Sequence, residues 1–108
     1  MTKKHKLSER GRRRAGERAA VDLARDRLRA AELAPGGTPG RPIVVDSAHV
    51  IEGQARDLRC AICEAEVILE EHDAVTHEGT LVRRVRVICK ECHVPRLIWF
   101  RIERPRPN

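Results

Sequence analysis

The chain holds four cysteines in two pairs, CAIC (Cys60, Cys63) and CKEC (Cys89, Cys92), with twenty-five residues between the pairs. A Cys-x-x-Cys turn lets two thiolates point the same way from one tight loop, covering two corners of a tetrahedron whose Zn–S bonds are about 2.3 Å long. Two such turns brought together supply all four corners. The usual separation of the pairs is about 15–20 residues, and a longer hairpin accounts for the excess here. Other thiol chemistries fit less well. A thioredoxin-like redox pair needs a helix N-terminus to stabilise its thiolate, whereas CAIC runs into a strand pattern. Two disulfides require an oxidising compartment. A four-cysteine iron site has the same ligands and stays open as an alternative. The expectation is one Zn²⁺ held by Cys60, Cys63, Cys89 and Cys92, with folding linked to its binding.

Other groups with chemical potential are weaker. The stretch EEHDAVTHEG gathers Glu70, Glu71, His72, Asp73, His77 and Glu78. Its sharp reading is a second metal site or an acid–base pair, and its plain reading is a polar turn, the usual composition of a loop. No Ser/His/Asp or Cys/His nucleophilic set and no phosphate-cradling glycine loop occurs. Four cysteines committed to a metal leave no open coordination position for catalysis. The expectation is a binding protein and not an enzyme.

The cysteines must be positioned by short elements. Residues 66–72 (EVILEEH) and 81–88 (LVRRVRVI) read as strands of nearly equal length about a polar turn. A chain that runs out and back over equal arms, at about 3.4 Å per residue, returns to its start and sets the two pairs side by side. Residues 96–102 (RLIWFRI) supply a third strand, and 43–51 (IVVDSAHVI) a strand or extended lead-in. Trp99 and Phe100, adjacent in a strand, point to opposite faces. Cross-strand pairing places Arg84 and Arg86 near Glu66 and Glu70. The competing use of Arg83, Arg84 and Arg86 is a phosphate grip beside Trp99.

Residues 58–102, LRCAICEAEVILEEHDAVTHEGTLVRRVRVICKECHVPRLIWFRI, resemble a zinc ribbon, and the module is similar to small bacterial zinc-ribbon proteins. The resemblance implies two knuckles at the end of a three-stranded antiparallel sheet. Ribbon knuckles commonly carry Gly just after the second cysteine, where φ > 0 is convenient; here those places hold Glu64 and His93. A Cys3His set using His93 in place of Cys92 is therefore the alternative ligand set.

The rest of the chain divides by composition. Residues 1–14 read as a basic disordered arm, 15–34 as a helix of good helix formers, 35–42 (PGGTPGRP) as a linker, 43–102 as the ribbon domain and 103–108 as a Pro-rich tail. The fold class is a small α+β chain. Along the helix, Ala20, Leu23, Arg27 and Ala30 line one side and Val21, Ala24, Leu28 and Ala31 its neighbour. Asp22–Arg25 and Asp26–Arg29 are candidate i,i+3 pairs.

Charge separates the two halves. Residues 1–40 hold eleven Lys/Arg and five acids, which is the whole net charge of +6, and residues 41–108 are formally neutral. Lys3, Lys4, Lys6, Arg10, Arg12, Arg13 and Arg14 are the candidate nucleic-acid contacts, because clustered cations neutralise phosphates without reading sequence. A solvated basic tail is the plain alternative. DNA or RNA is the first expected partner; a protein docked on the Ala-rich helix is the second, and a thiol/zinc redox switch is a third function. The start lacks the apolar run of a secretory signal, and no stretch reaches the ~20 apolar residues of a membrane span. The expected setting is the cytoplasm, with no membrane and no small-molecule substrate.

Overall fold

The computed structural model describes residues 8–104, as a long N-terminal helix followed by a small α+β body. Helix α1 runs from Glu9 to Leu33, six residues earlier than composition places its start. The reason is local. Ser8 is extended (φ −60°, ψ 161°) and its hydroxyl accepts from the Gly11 N–H at 3.1 Å, an N-cap that satisfies one of the orphan amides of the first turn. Glu9 in that turn suits the positive end of the helix dipole. Arg10, Arg12, Arg13 and Arg14 are therefore helical, which corrects the expected disordered arm. Lys3, Lys4 and Lys6 lie outside the described residues.

No residue of α1 is buried. Ala24, Leu28 and Ala31 are half-buried, so the second of the two apolar stripes is the one that faces the body. Among the described residues the pairs Asp22–Arg25 and Asp26–Arg29 do not form. The helix ends where Pro35 stops it, and the following Pro/Gly segment is fixed to the sheet. Gly36 is buried with φ 87°. Its N–H donates to the Arg41 carbonyl at 2.6 Å, and its carbonyl accepts from the Trp99 N–H at 2.8 Å. A Cβ at Gly36 would come within 2.7 Å of the Ile43 side chain, so only glycine fits this turn.

The sheet has four strands in the order β1-β4-β3-β2, comprising β1 (Ile43–Val45), β2 (Val67–His77), β3 (Thr80–Cys89) and β4 (Pro95–Ile102). Strand β3 pairs antiparallel with β2 on one side and with β4 on the other, as the ribbon pattern implies. The expected three-stranded sheet is corrected by β1, which pairs parallel with β4 through Ile43↔Phe100 to Val45↔Ile102. The lead-in strand is also shorter than expected. After Val45 the chain turns through a 3-10 turn (Ala48–Val50) into helix α2 (Ile51–Asp57), an element the sequence reading missed. Helix α2 covers one face of the sheet with Ile51 and Ala55, spaced i,i+4 and both fully buried.

That face is the core. Phe100 and Ile98 of β4 and Val85, Val87 and Cys89 of β3 alternate inward and are all 0–1 % exposed. Trp99 points to the other face and is half-buried, as alternation requires. The hairpin is longer than composition suggests. Strand β2 continues to His77, and Glu78 (φ 49°) and Gly79 (φ 78°) make a two-residue turn, the left-handed pair that a tight hairpin uses. Strand β2 also carries a bulge between Leu69 and Glu71, where Glu70 is the extra residue. No described helix is long and apolar enough to cross a membrane.

Candidate metal centre

Both cysteine pairs sit at one end of the β2–β3 hairpin, and they are built alike. In the first knuckle the Cys60 N–H donates to the Ala65 carbonyl at 3.0 Å and the Glu64 N–H to the Cys60 carbonyl at 3.0 Å. In the second, the Cys89 N–H donates to the Val94 carbonyl at 3.1 Å and the His93 N–H to the Cys89 carbonyl at 3.2 Å. The same hydrogen bonds recur at the same offsets. Both knuckles also pass through a left-handed residue just after the second cysteine, Glu64 at φ 61° and His93 at φ 59°. These are the places where a ribbon commonly has glycine, and the backbone keeps that conformation without it.

The hairpin register brings the knuckles together. Val67 pairs with Cys89, so the end of one knuckle abuts the start of the other, and the Lys90 N–H donates to the Glu66 carbonyl at 3.0 Å. All four Sγ atoms then lie within 4.8 Å of one another. Cys60 and Cys92 Sγ are 3.5 Å apart, and Cys63 and Cys89 Sγ 3.4 Å. Sulfurs at the corners of a tetrahedron with bonds of about 2.3 Å would be about 3.8 Å apart, so the set fits one tetrahedral metal ion. These distances also exceed a disulfide bond of about 2.05 Å, and all four thiols are free. His93 is exposed and stands outside the cluster; the fourth sulfur is that of Cys92, against the Cys3His alternative.

The surroundings suit negative charge. The Ile62 N–H approaches Cys60 Sγ at 3.4 Å, and the Glu91 and Cys92 N–H groups approach Cys89 Sγ at 3.4 Å each. The Cys89 thiol is lowered to about 6, by the Cys92 N–H first, with the Glu91 N–H assisting against burial. The Cys92 thiol goes the other way, to about 12. The Val94 amide lowers it, but burial and its thiol neighbours Cys60, Cys89 and Cys63 outweigh that pull. Cys63 is raised as well; the Ala65 amide lowers it, while Cys89, burial and Cys60 raise it further. Four sulfurs this close cannot all ionise alone, and a dication removes the conflict. Half-buried Arg96 has its pKa lowered by burial, with the Cys60 charge acting against that shift.

The remaining candidate residues do not assemble into a site. His72 is in mid-strand, with its Nδ1 3.4 Å from a Glu52 carboxylate oxygen of α2. His77 is near Glu78 at the turn. Among the described residues only the four cysteines form a group able to hold a metal ion, so EEHDAVTHEG is not a second site there. Two sheet arginines, Arg84 and Arg86, are paired across strands, with one partner expected and one not. Arg86 meets Glu70 at 3.0 Å as anticipated. Arg84 instead meets Asp73 at 2.7 Å, its directly paired residue beyond the bulge, and Glu66 meets Lys90 at 2.9 Å, the residue across from it on the cysteine side. The Lys90 ammonium holds the Glu66 carboxyl below its usual value.

Helix α1 reaches the metal centre through one side chain that sequence reasoning did not single out. The Arg27 guanidinium donates to the Ile62 carbonyl, inside the first knuckle. Nearby, Leu28, Ala31 and Glu32 line a cleft with Pro39, Leu97 and Trp99. The chain matches no protein-family model, no curated protein and no solved structure. The four-cysteine cluster is compatible with a zinc ribbon on its geometry alone.

Proposed function

We propose that the protein is a structural-zinc module that associates with nucleic acid through the basic N-terminal part of the chain. The observation that carries the metal assignment is the set of four Sγ atoms within 4.8 Å of one another. Zinc is preferred to ferrous iron because a given site binds it more tightly. A closed four-thiolate shell gives the ion no open position, so its role is to hold the fold. This reading makes the protein a binding module and not an enzyme. It also suits a reducing cytoplasm, where the thiols stay free to bind the ion.

The nucleic-acid part rests on a contrast between cations. In the body, Arg84, Arg86, Lys90 and Arg101 are engaged by carboxylates, whereas Arg83 and Arg96 of the sheet are not. Among the described residues, Arg10, Arg13, Arg14 and Arg18 of α1 have no such partner. Cations without internal partners remain available for phosphate. The test is a salt titration of binding to mixed duplex and single-stranded probes. A steep loss of binding with salt supports the reading, and no binding to any probe at low salt refutes it.

A further inference from the structure

We infer that two copies of this chain pair through the outer edge of β2, antiparallel about a two-fold axis at Ala74, so that their sheets join into one. The inference is independent of the nucleic-acid reading above. The strand order β1-β4-β3-β2 leaves β2 with a neighbour on one side only. It is the longest strand of the sheet, with 11 residues. The other edge strand, β1, has 3 and offers little to pair with.

The hydrogen bonds show which groups of β2 face outward. The Trp99 N–H donates to the Gly36 carbonyl, away from β3. Trp99 is paired with Arg84, and Arg84 with Asp73. Along an antiparallel strand, residues alternate between bonding the neighbour on one side and the neighbour on the other. Arg84 therefore turns its backbone to Asp73, and His72, Ala74 and Thr76 turn theirs to the open edge. Among the described residues these outward N–H and C=O groups have no partner. Helix α2 lies over the face and not over the edge, with Glu52 against His72 Nδ1. Such a row is a template for another strand, and proteins usually blunt it with Pro, Lys, a bulge or a covering element. The bulge at Glu70 does so at one end. The stretch from Glu71 to His77, EHDAVTH, contains no Pro, Gly, Lys or Arg.

Length and charge choose the occupant and the register. The free stretch is bounded by the bulge at Glu70 and by the turn at Glu78 and Gly79, and Ala74 is its midpoint. Pairing about Ala74 sets Ala74 against itself, His72 against Thr76, Asp73 against Val75, and Glu71 against His77 of the second copy. Each outward residue then exchanges two backbone hydrogen bonds with its opposite. Within one chain Asp73 is engaged by Arg84, while among the described residues Glu71 has no ion-pair partner. The dimer supplies one, an imidazole facing the Glu71 carboxylate, and symmetry supplies it twice. Facing pairs of this kind stabilise a sheet, and like charges directly opposite destabilise it. Moving the centre to Asp73 would set two Asp73 carboxylates face to face. Moving it to Val75 would leave Glu71 beyond the paired residues. Only the Ala74 centre uses the whole free stretch without opposing two acids. Because the axis stands normal to the sheet, both α2 helices then lie on one face and both α1 helices on the other.

The test is sedimentation velocity of the full-length zinc-loaded protein from low to high micromolar concentration, with amide exchange followed by NMR. The expected result is a rise to twice the chain mass, with the amides of His72, Ala74 and Thr76 becoming protected as the dimer forms. Those of Asp73 and Val75, bonded to β3, should be protected throughout. His77→Glu should weaken the dimer about tenfold, since it opposes Glu71 with a like charge at two places. Adding Glu71→Lys to that variant should restore the dimer. Ala74→Pro should give a zinc-loaded monomer, because the N–H it removes is not used by β3. The charge variants leave the backbone unchanged, so they decide the matter should the proline variant lose its zinc. A protein that stays monomeric at high micromolar concentration overturns the inference. So does a dimer in which the amides of His72, Ala74 and Thr76 still exchange freely, or one whose affinity His77→Glu leaves unmoved.

Discussion

Glu64 and His93 hold the same left-handed backbone conformation, each one residue past the second cysteine of its pair. The two knuckles are thus copies of one turn, made without the glycine that such a turn favours. A non-glycine residue there costs roughly 1 kcal/mol from contact between Cβ and the following carbonyl. The turn at that residue brings the next carbonyl back, so that the Ala65 and Val94 carbonyls accept from the Cys60 and Cys89 N–H groups.

Glu64→Gly and His93→Gly should each stabilise the metal-loaded protein, by up to about 1 kcal/mol, partly offset by the greater freedom of glycine in the unfolded chain. Thermal unfolding of the two variants checks this. The ordinary replacement Glu64→Val, with a β-branched residue at positive φ, should destabilise it. Equal or lower stability of both glycine variants would show that the left-handed residues are not strained.

The Arg27–Ile62 hydrogen bond links α1 to the first knuckle, so the helix should respond to the metal. Removing the ion with a chelator frees the 60–65 turn, and with it the carbonyl that Arg27 holds. Amide hydrogen exchange over residues 24–33 should then accelerate. Arg27→Ala should produce the same acceleration in the metal-loaded protein while leaving one metal per chain. An exposed hydrogen bond of this kind contributes about 1 kcal/mol or less, so the effect is severalfold in exchange rate. Unchanged exchange in the variant would mean that α1 docks through Leu28 and Ala31 alone.

Metal affinity should fall as pH falls, because protons and the ion compete for the same thiolates. Cys92 is pushed up to about 12 and Cys63 is raised, so near neutral pH both surrender a proton to the ion. Cys89, lowered to about 6, is already a thiolate there and is protonated only below that value. Loss of affinity should therefore steepen as pH drops through about 6, the value for Cys89. Competition titrations with a colorimetric chelator from mildly alkaline to mildly acid pH measure it. Affinity independent of pH would contradict thiolate ligation.

Much of the metal-bearing end was legible in the sequence, and the reasons are local. Equal strands about a turn fixed the hairpin, and Cys-x-x-Cys spacing fixed both knuckles. The β-branched and aromatic composition of residues 81–88 and 96–102 located the core strands. What escaped notice depends on contacts between distant segments. Helix α2 is only seven residues long, and its identity comes from Ile51 and Ala55 meeting the sheet. The IVV segment looked like a lead-in because nothing near it in sequence announces β4 as a parallel partner. The Pro/Gly run read as a free linker, yet Gly36 bonds to Trp99 across more than sixty residues. The early start of α1 did have a signal: Ser8 stands just before Glu9, an N-cap followed by an acidic first turn.

The central claim is that four sulfurs hold one metal ion, and X-ray absorption on the purified protein tests it most directly. The fine structure at the zinc edge should fit four sulfur neighbours at about 2.3 Å, with one zinc per chain by elemental analysis. Cys60→Ser and Cys89→Ser should each replace one sulfur with a lighter neighbour, or abolish zinc uptake and unfold the sheet. A first shell containing nitrogen or oxygen in the native protein would contradict the account. So would a protein that keeps its folded sheet after a chelator has removed all metal.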